Sequence, residues 1–167
     1  YRQPETLAVD NRRPFSPSAL WAGTRQVFSS RAAIGYIFAT GLINGAFIGY
    51  LSSAQQIFVE AYVAGSLFPL YFAIAALALG AASILNARLV LRLGMRILTW
   101  WAALGLAALS VAFILPTAMT GGLPPLWAFI AWLVAVFFCV GFLFGNFNAL
   151  AMEPLGKIAG LGAGIVG

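Results

Sequence analysis

The polar side chains best suited to binding a ligand lie on one face of a long apolar segment near the start of the chain. At about 100° per residue, a helix places Thr40, Asn44 and Gln55 in one stripe, together with Tyr36 and Phe47. An amide in lipid needs a hydrogen-bond partner or water, so this stripe is expected to face other helices or a cavity. It predicts either interhelical hydrogen bonds or the wall of a polar substrate pathway, and the pattern leaves both open.

Several kinds of chemistry have no residues to support them. The sequence contains no His and one Cys, Cys139, which excludes histidine-based zinc or haem ligation, an intrachain disulfide and a cysteine cluster. No acidic residue lies centrally in an apolar segment, and no phosphate-binding loop or nucleophile–base arrangement occurs. We therefore expect no enzyme activity and no cofactor.

The composition indicates that membrane-spanning helices position these residues. Hydrophobic residues make up 62% of the 167 positions and charged residues 8%, whereas an ordinary soluble domain has roughly 25% charged residues. Charges are missing from residues 32–59, 61–87 and 97–152. Since about 20 apolar residues cross a bilayer, the sequence predicts an all-α integral membrane protein.

Turn residues and charges divide the chain into four complete spans and the start of a fifth. The spans are expected at about residues 33–56, 67–85, 97–115, 126–150 and, truncated by the end of the chain, 158–167. A basic loop, Asn86 to Arg96, separates the second span from the third, and Pro116 with the Gly-Pro turn after it ends the third.

Residues 1–31 precede the first span and are polar. Ser16-Pro17 resembles a helix start, with a capping serine and a proline in the first turn. The mixture of Leu20, Trp21 and Phe28 with basic residues is typical of a helix on the membrane surface, and an ordinary loop is the alternative.

The basic residues give the expected orientation. All nine Lys and Arg residues lie on the side of the N-terminus, and the other side has none. This distribution predicts that the N-terminus, the Asn86–Arg96 loop and Lys157 are cytoplasmic. The basic net charge is then a topology signal, and no nucleic-acid partner is expected.

Small residues at helical spacing indicate close helix packing. Gly41, Gly45 and Gly49 form two overlapping GxxxG steps, and Gly141 with Gly145 repeats the pattern in the fourth span. The fourth span is also rich in phenylalanine, and these side chains are expected mostly to contact lipid or fill the core, with some of them available to line an apolar pocket. Its Asn146 is expected either to face a cavity or to cap the helix end.

Three segments resemble the major facilitator superfamily. Arg2-Gln3-Pro4-Glu5-Thr6-Leu7 resembles the segment that follows the sixth helix in many of its members. Arg92-Leu93-Gly94-Met95-Arg96 is similar to the end of the family's cytoplasmic loop motif, with Arg92, Gly94 and Arg96 in the matching positions. The stretch from residue 145 to 160, GNFNALAMEPLGKIAG, resembles the connection between helices ten and eleven in Bcr/CflA drug-resistance transporters.

The resemblance implies helices seven to eleven of a twelve-helix transporter, preceded by the end of its central loop. Such a transporter exports small, often hydrophobic drugs in exchange for protons by alternating access, in the bacterial inner membrane. Its partners are the drug, protons, the lipid bilayer and the N-terminal half of the same protein. The resemblance also favours the cavity interpretation of the polar stripe and, more weakly, of Asn146.

The alternative function is that of a non-transporting membrane subunit or assembly factor. In that case the small residues would pack against the helices of partner proteins, and the polar stripe would bond to them.

Overall fold

The computed structural model describes residues 17–158, which are almost entirely helical and contain no strand. The five α-helices are α1 (Pro17–Ser29), α2 (Arg31–Gln55), α3 (Phe68–Leu93), α4 (Met95–Met119) and α5 (Leu126–Met152). A π-helical turn (Gln56–Ala61) follows α2, a 3₁₀ turn (Gly65–Leu67) precedes α3, and another (Glu153–Ile158) follows α5.

Within the described residues, four helical stretches are long and apolar enough to cross a membrane. They are Arg31–Ala61, Gly65–Leu93, Met95–Met119 and Leu126–Leu155. The chain is therefore an all-α, multi-pass membrane protein, as the sequence predicts. The segment around Pro4, the capping Ser16 and nearly all of the predicted fifth span lie outside the described residues.

The basic segment between the second and third spans differs from its prediction. The prediction of a loop at Asn86–Arg96 is wrong, because α3 continues to Leu93 and α4 begins at Met95. The segment is made mostly of good helix formers and contains no breaker before Gly94. Gly94 has φ +82°, a conformation that favours glycine, and forms the whole connection between the two helices.

Pro116 does not end the third span, contrary to the sequence prediction. Helix α4 runs through it to Met119. The proline removes only one backbone donor near the helix end, and two threonine hydroxyls bond to carbonyls in the same turn. Thr117 Oγ1 donates to Phe113 O at 2.7 Å, and Thr120 Oγ1 donates to Pro116 O at 2.7 Å.

Helix α5 is the centre of the bundle and packs against α2, α3 and α4. Its closest neighbour is α3, and Gly141 makes this approach possible. A Cβ added at Gly141 would lie 2.6 Å from Leu79 O and 2.7 Å from Ala82 Cβ. Only a glycine lets the two backbones come so near each other at this point.

The bundle has two ends, named here after one residue at each. The Tyr62 end holds the α2–α3 and α4–α5 connections, and there Tyr62 Oη donates to Pro124 O at 2.8 Å. The Gly94 end holds the α3–α4 connection, α1 and the end of α5. Helix α1 is anchored at the Gly94 end, because Val27 is fully buried with Ala33 and Leu155.

Candidate functional site

A cavity of about 440 Å³ lies between α2, α4 and α5. Helix α2 contributes Ile43, Ala46, Phe47, Tyr50 and Ser53, and the π-helical turn after it contributes Ile57. Leu106 and Ser110 come from α4. Helix α5 adds mainly large apolar groups, among them Phe129, Trp132, Val136 and Phe137. The wall is therefore chiefly aromatic and aliphatic.

The cavity uses a different face of α2 from the polar stripe. At about 100° per residue, the lining side chains of α2 centre roughly 100° away from the stripe. Phe47 is the only predicted stripe residue in the lining. Tyr36, Thr40, Asn44 and Gln55 lie outside it, so their role in a substrate pathway stays a prediction.

The stripe residues also make no polar contact with another helix among the described residues. Thr40 is buried, but its Oγ1 donates to Tyr36 O of its own helix at 2.7 Å. The ring of Tyr36 lies 5.9 Å from the ring of Phe147 on α5, which is an apolar contact. Asn44 is half-buried and Gln55 is exposed.

Asn146 pairs with a residue that the sequence interpretation assigned to a loop. Its Nδ2 donates to Asn86 Oδ1 at 2.9 Å, and Asn86 Nδ2 donates to Asn146 Oδ1 at 3.0 Å. Asn146 is buried, outside the lining of the cavity, and bonds across to α3 rather than to the end of its own helix. The observed contact is thus interhelical rather than a helix-end cap, and a role for Asn146 in a substrate cavity stays a prediction. The predicted second span ends at residue 85, one residue before Asn86. A longer predicted span would have included Asn86 as a second amide that could pair with Asn146.

The predicted packing glycines divide into two groups. Gly141 contacts α3 closely, as described above. A Cβ added at Gly41, Gly45, Gly49 or Gly145 would meet no atom of the described residues within 4 Å. The first three share one exposed face of α2, and their predicted helix contact stays a prediction.

The three residues of the loop motif have separate surroundings at the Gly94 end. Arg96 Nη2 lies 3.2 Å from both carboxylate oxygens of Glu153, joining the start of α4 to the end of α5. The two side chains are 73% and 51% exposed, so water screens this ion pair. Arg92 is exposed, and Gly94 forms the helix connection.

The polar groups at the cavity are few and already engaged. Ser53 Oγ donates to Gly49 O at 2.8 Å, and Ser110 Oγ donates to Leu106 O at 2.8 Å. Trp132 Nε1 donates to Leu109 O at 3.2 Å. These bonds use the donors of the three side chains, so the two serine oxygens offer a ligand only acceptor positions.

Tyr50 is the exception among these polar groups. Its hydroxyl oxygen is buried and has no hydrogen-bond partner among the described residues. Its ring packs edge-on against Phe137, with the ring centres 5.0 Å apart. Sequence reasoning missed Tyr50, because nothing in the sequence tells which apolar face of α2 meets α5.

The arrangement suits an apolar molecule, and the part of the chain that the structure describes places no acid–base pair in its wall. The described residues also contain no cluster of His, Cys, Asp and Glu that could hold a metal ion. Comparisons of the chain with protein-family models, with curated proteins and with solved structures find no match.

Proposed function

We propose that this chain is part of a proton-coupled efflux transporter that exports small hydrophobic molecules. The observation that carries the proposal is the cavity between α2, α4 and α5 in a multi-pass membrane protein. Its volume of about 440 Å³ is within the range of small-molecule sites. Its largely apolar wall suits a substrate that partitions into lipid.

The sequence resemblances support the same proposal. They point to the C-terminal half of a major facilitator of the Bcr/CflA type, in the bacterial inner membrane with the N-terminus of this chain cytoplasmic. Proton coupling then belongs to the other half, since the spanning helices described here carry no central carboxylate. The complete gene is expected to encode six further spans upstream, including an intramembrane Asp or Glu.

A transport assay tests the proposal on the full-length protein in proteoliposomes. A pH gradient should drive transport of a hydrophobic fluorescent drug, and a protonophore should abolish it. Filling the cavity with Ala46→Phe should remove most of the transport, because Ala46 forms part of its wall. The matched control is Ala108→Phe on the exposed side of α4, which should transport normally. Absence of gradient-driven transport by the unmodified protein would overturn the proposal.

One observation favours a second function, that of a non-transporting membrane subunit. The face of Gly41, Gly45 and Gly49 is exposed, with no described atom near it, and such faces let partner helices approach closely. This function predicts that Gly45→Leu breaks a complex with another membrane protein and leaves drug tolerance unchanged. Affinity purification from membranes, combined with drug-tolerance tests, separates the two functions.

A further inference from the structure

We infer that the cavity selects uncharged aromatic molecules and discriminates against organic cations of the same shape. This inference rests on the proposed function, because it names the class of substrate that the transporter would accept. It follows from the polar groups, the charges and the rings around the cavity, taken in turn.

The serine and tryptophan donors of the wall are already used within the protein. The hydroxyls of Ser53 and Ser110 bond to carbonyls of their own helices, and the indole nitrogen of Trp132 bonds to Leu109 O. The oxygen of Tyr50 is covered by protein atoms. A hydrogen-bond acceptor on a ligand therefore finds no free donor among these groups, and an acceptor that is buried unpaired weakens binding.

Among residues 17–158, no charged side chain lines the cavity. Among residues 17–158 the carboxylates are Glu60 and Glu153, which lie near opposite ends of the bundle and are both exposed. Glu153 is paired with Arg96, and Glu60 lies three residues beyond the lining residue Ile57. A cation in the cavity would thus lose its hydration without gaining a counter-ion, which is strongly unfavourable.

The aromatic rings do not replace that counter-ion. A cation–π contact needs an open ring face and is much weaker than the hydration of an unpaired ion. The ring of Phe47 already contacts Phe137 and Phe144, with centres 5.7 and 5.4 Å apart. One face of Trp132 is covered by Phe113, with centres 4.7 Å apart and planes inclined by 11°. The remaining surface suits the edges and faces of a neutral aromatic ring.

A pair of isosteric probes tests the inference on the full chain in nanodiscs of zwitterionic lipid. The neutral probe is para-methylbiphenyl. The cationic probe is N-methyl-phenylpyridinium, in which nitrogen replaces the ring carbon that bears the methyl group. Binding of each radiolabelled probe is measured by scintillation proximity, without a pH gradient. Partition into lipid is subtracted with nanodiscs that contain no protein. The cavity-filled variants Ala46→Phe and Val136→Phe are measured in the same way, and Ala108→Phe is the matched control. Thermal unfolding of each variant confirms that it is folded.

The neutral probe should bind with a Kd at least about tenfold lower than that of the cation. Both filled variants should abolish that binding, and the control should retain it. Replacing the nearest free carboxylate, Glu60→Gln, should leave both affinities unchanged. Three results would overturn the inference. The cation could bind as tightly as the neutral probe, cation binding could depend on Glu60, or binding of the neutral probe could survive in both filled variants.

The outcome is separable from that of the proposed function. Selective binding without proton-driven transport would contradict the proposed transport function and still support the inferred ligand selectivity. Proton-driven transport of the cation through the same cavity would support the transport function and contradict the inferred selectivity.

Discussion

Asn86 and Asn146 exchange two side-chain hydrogen bonds across the interface between α3 and α5, each amide donating to the oxygen of the other at 2.9 and 3.0 Å. The pair lies one to two helical turns from the place where Gly141 contacts Leu79 and Ala82. A specific polar contact and a close steric fit thus hold the same two helices. We expect α3 and α5 to behave as one unit.

Removing one partner of this amide pair should destabilise the bundle. Asn146→Ala leaves the buried side of Asn86 without a partner, so a loss of about 1 kcal/mol is expected, in line with polar contacts in membrane proteins. Thermal unfolding in detergent measures it. Asn148→Ala, at an exposed position of the same helix, is the control and should change little. A double-mutant cycle with Asn86→Ala should show coupling, and independent effects of the two substitutions would contradict the pairing.

A methyl group at Gly141 should be far more harmful than one at Gly145. Gly141→Ala places the new carbon 2.6 Å from Leu79 O, which forces α3 and α5 apart. A destabilisation of about 1–3 kcal/mol is expected from such overpacking. Gly145→Ala meets open space and should be neutral or stabilising by up to about 1 kcal/mol, because alanine favours the helix. Equal unfolding temperatures for the two variants would contradict the close approach.

The two tyrosine hydroxyls near the C-terminal end of α2 should respond oppositely to removal. Tyr62→Phe deletes the bond to Pro124 O and should cost about 1 kcal/mol. Tyr50→Phe deletes a buried hydroxyl that has no described partner, so it should be neutral or stabilising by a similar amount. Each variant is the control for the other, and unfolding temperatures measure both. A marked loss of stability in Tyr50→Phe would show that its hydroxyl has a partner.

The bond from Tyr62 should persist through the neutral pH range. Tyr62 lies in the α2–α3 connection, and partial burial raises the pKa of its phenol above the ordinary value of 10.0. The protonated form is the donor, so its contribution to stability is fully present below pH 10 and is lost as the pH rises through the raised pKa. The difference in unfolding temperature between the unmodified protein and Tyr62→Phe should therefore be constant from pH 6 to about 9. A difference that disappears within that range would contradict this assignment.

The ion pair between Arg96 and Glu153 should contribute little to stability. Both side chains are more than half exposed, so Glu153→Gln is expected to change the free energy of unfolding by less than about 1 kcal/mol. Any difference in the free energy of unfolding between Glu153→Gln and the unmodified protein should appear at low salt and disappear at high salt. A large, salt-independent loss would mean that the pair is shielded from water in the membrane-embedded protein.

The sequence predicts the membrane class and the spans well, because both depend on local composition. The predicted span 126–150 nearly matches α5, and the segment after Pro17 is helical. The errors at Asn86–Arg96 and Pro116 have one cause. Charged residues and prolines mark where an apolar segment ends. A helix ends instead where its terminal N–H and C=O groups find other hydrogen-bond partners.

The candidate site was harder to predict than the helices. The hydrogen-bonding needs of Thr40 and Asn44 predict that the polar stripe of α2 faces other helices or a cavity. In the structure, Thr40 bonds to its own helix. The cavity wall instead uses Tyr50 and Trp132, which resemble ordinary lipid-facing aromatics in the sequence. Which faces meet is decided by the packing of α2, α3 and α4 around α5, including the small residue at Gly141. Such contacts between distant segments leave no periodic signal.

The one-residue connection at Gly94 constrains how α4 can move. Only Gly94 separates Leu93 from Met95, so the Cα atoms of these two residues stay within about 7 Å of each other and α4 cannot slide freely along α3. It can pivot. Helix α4 has 25 residues and is therefore about 37 Å long, so a swing of about 10° around Gly94 would displace its far end by roughly 6 Å. That displacement would reach the Thr120–Pro125 turn, which connects α4 to the start of α5.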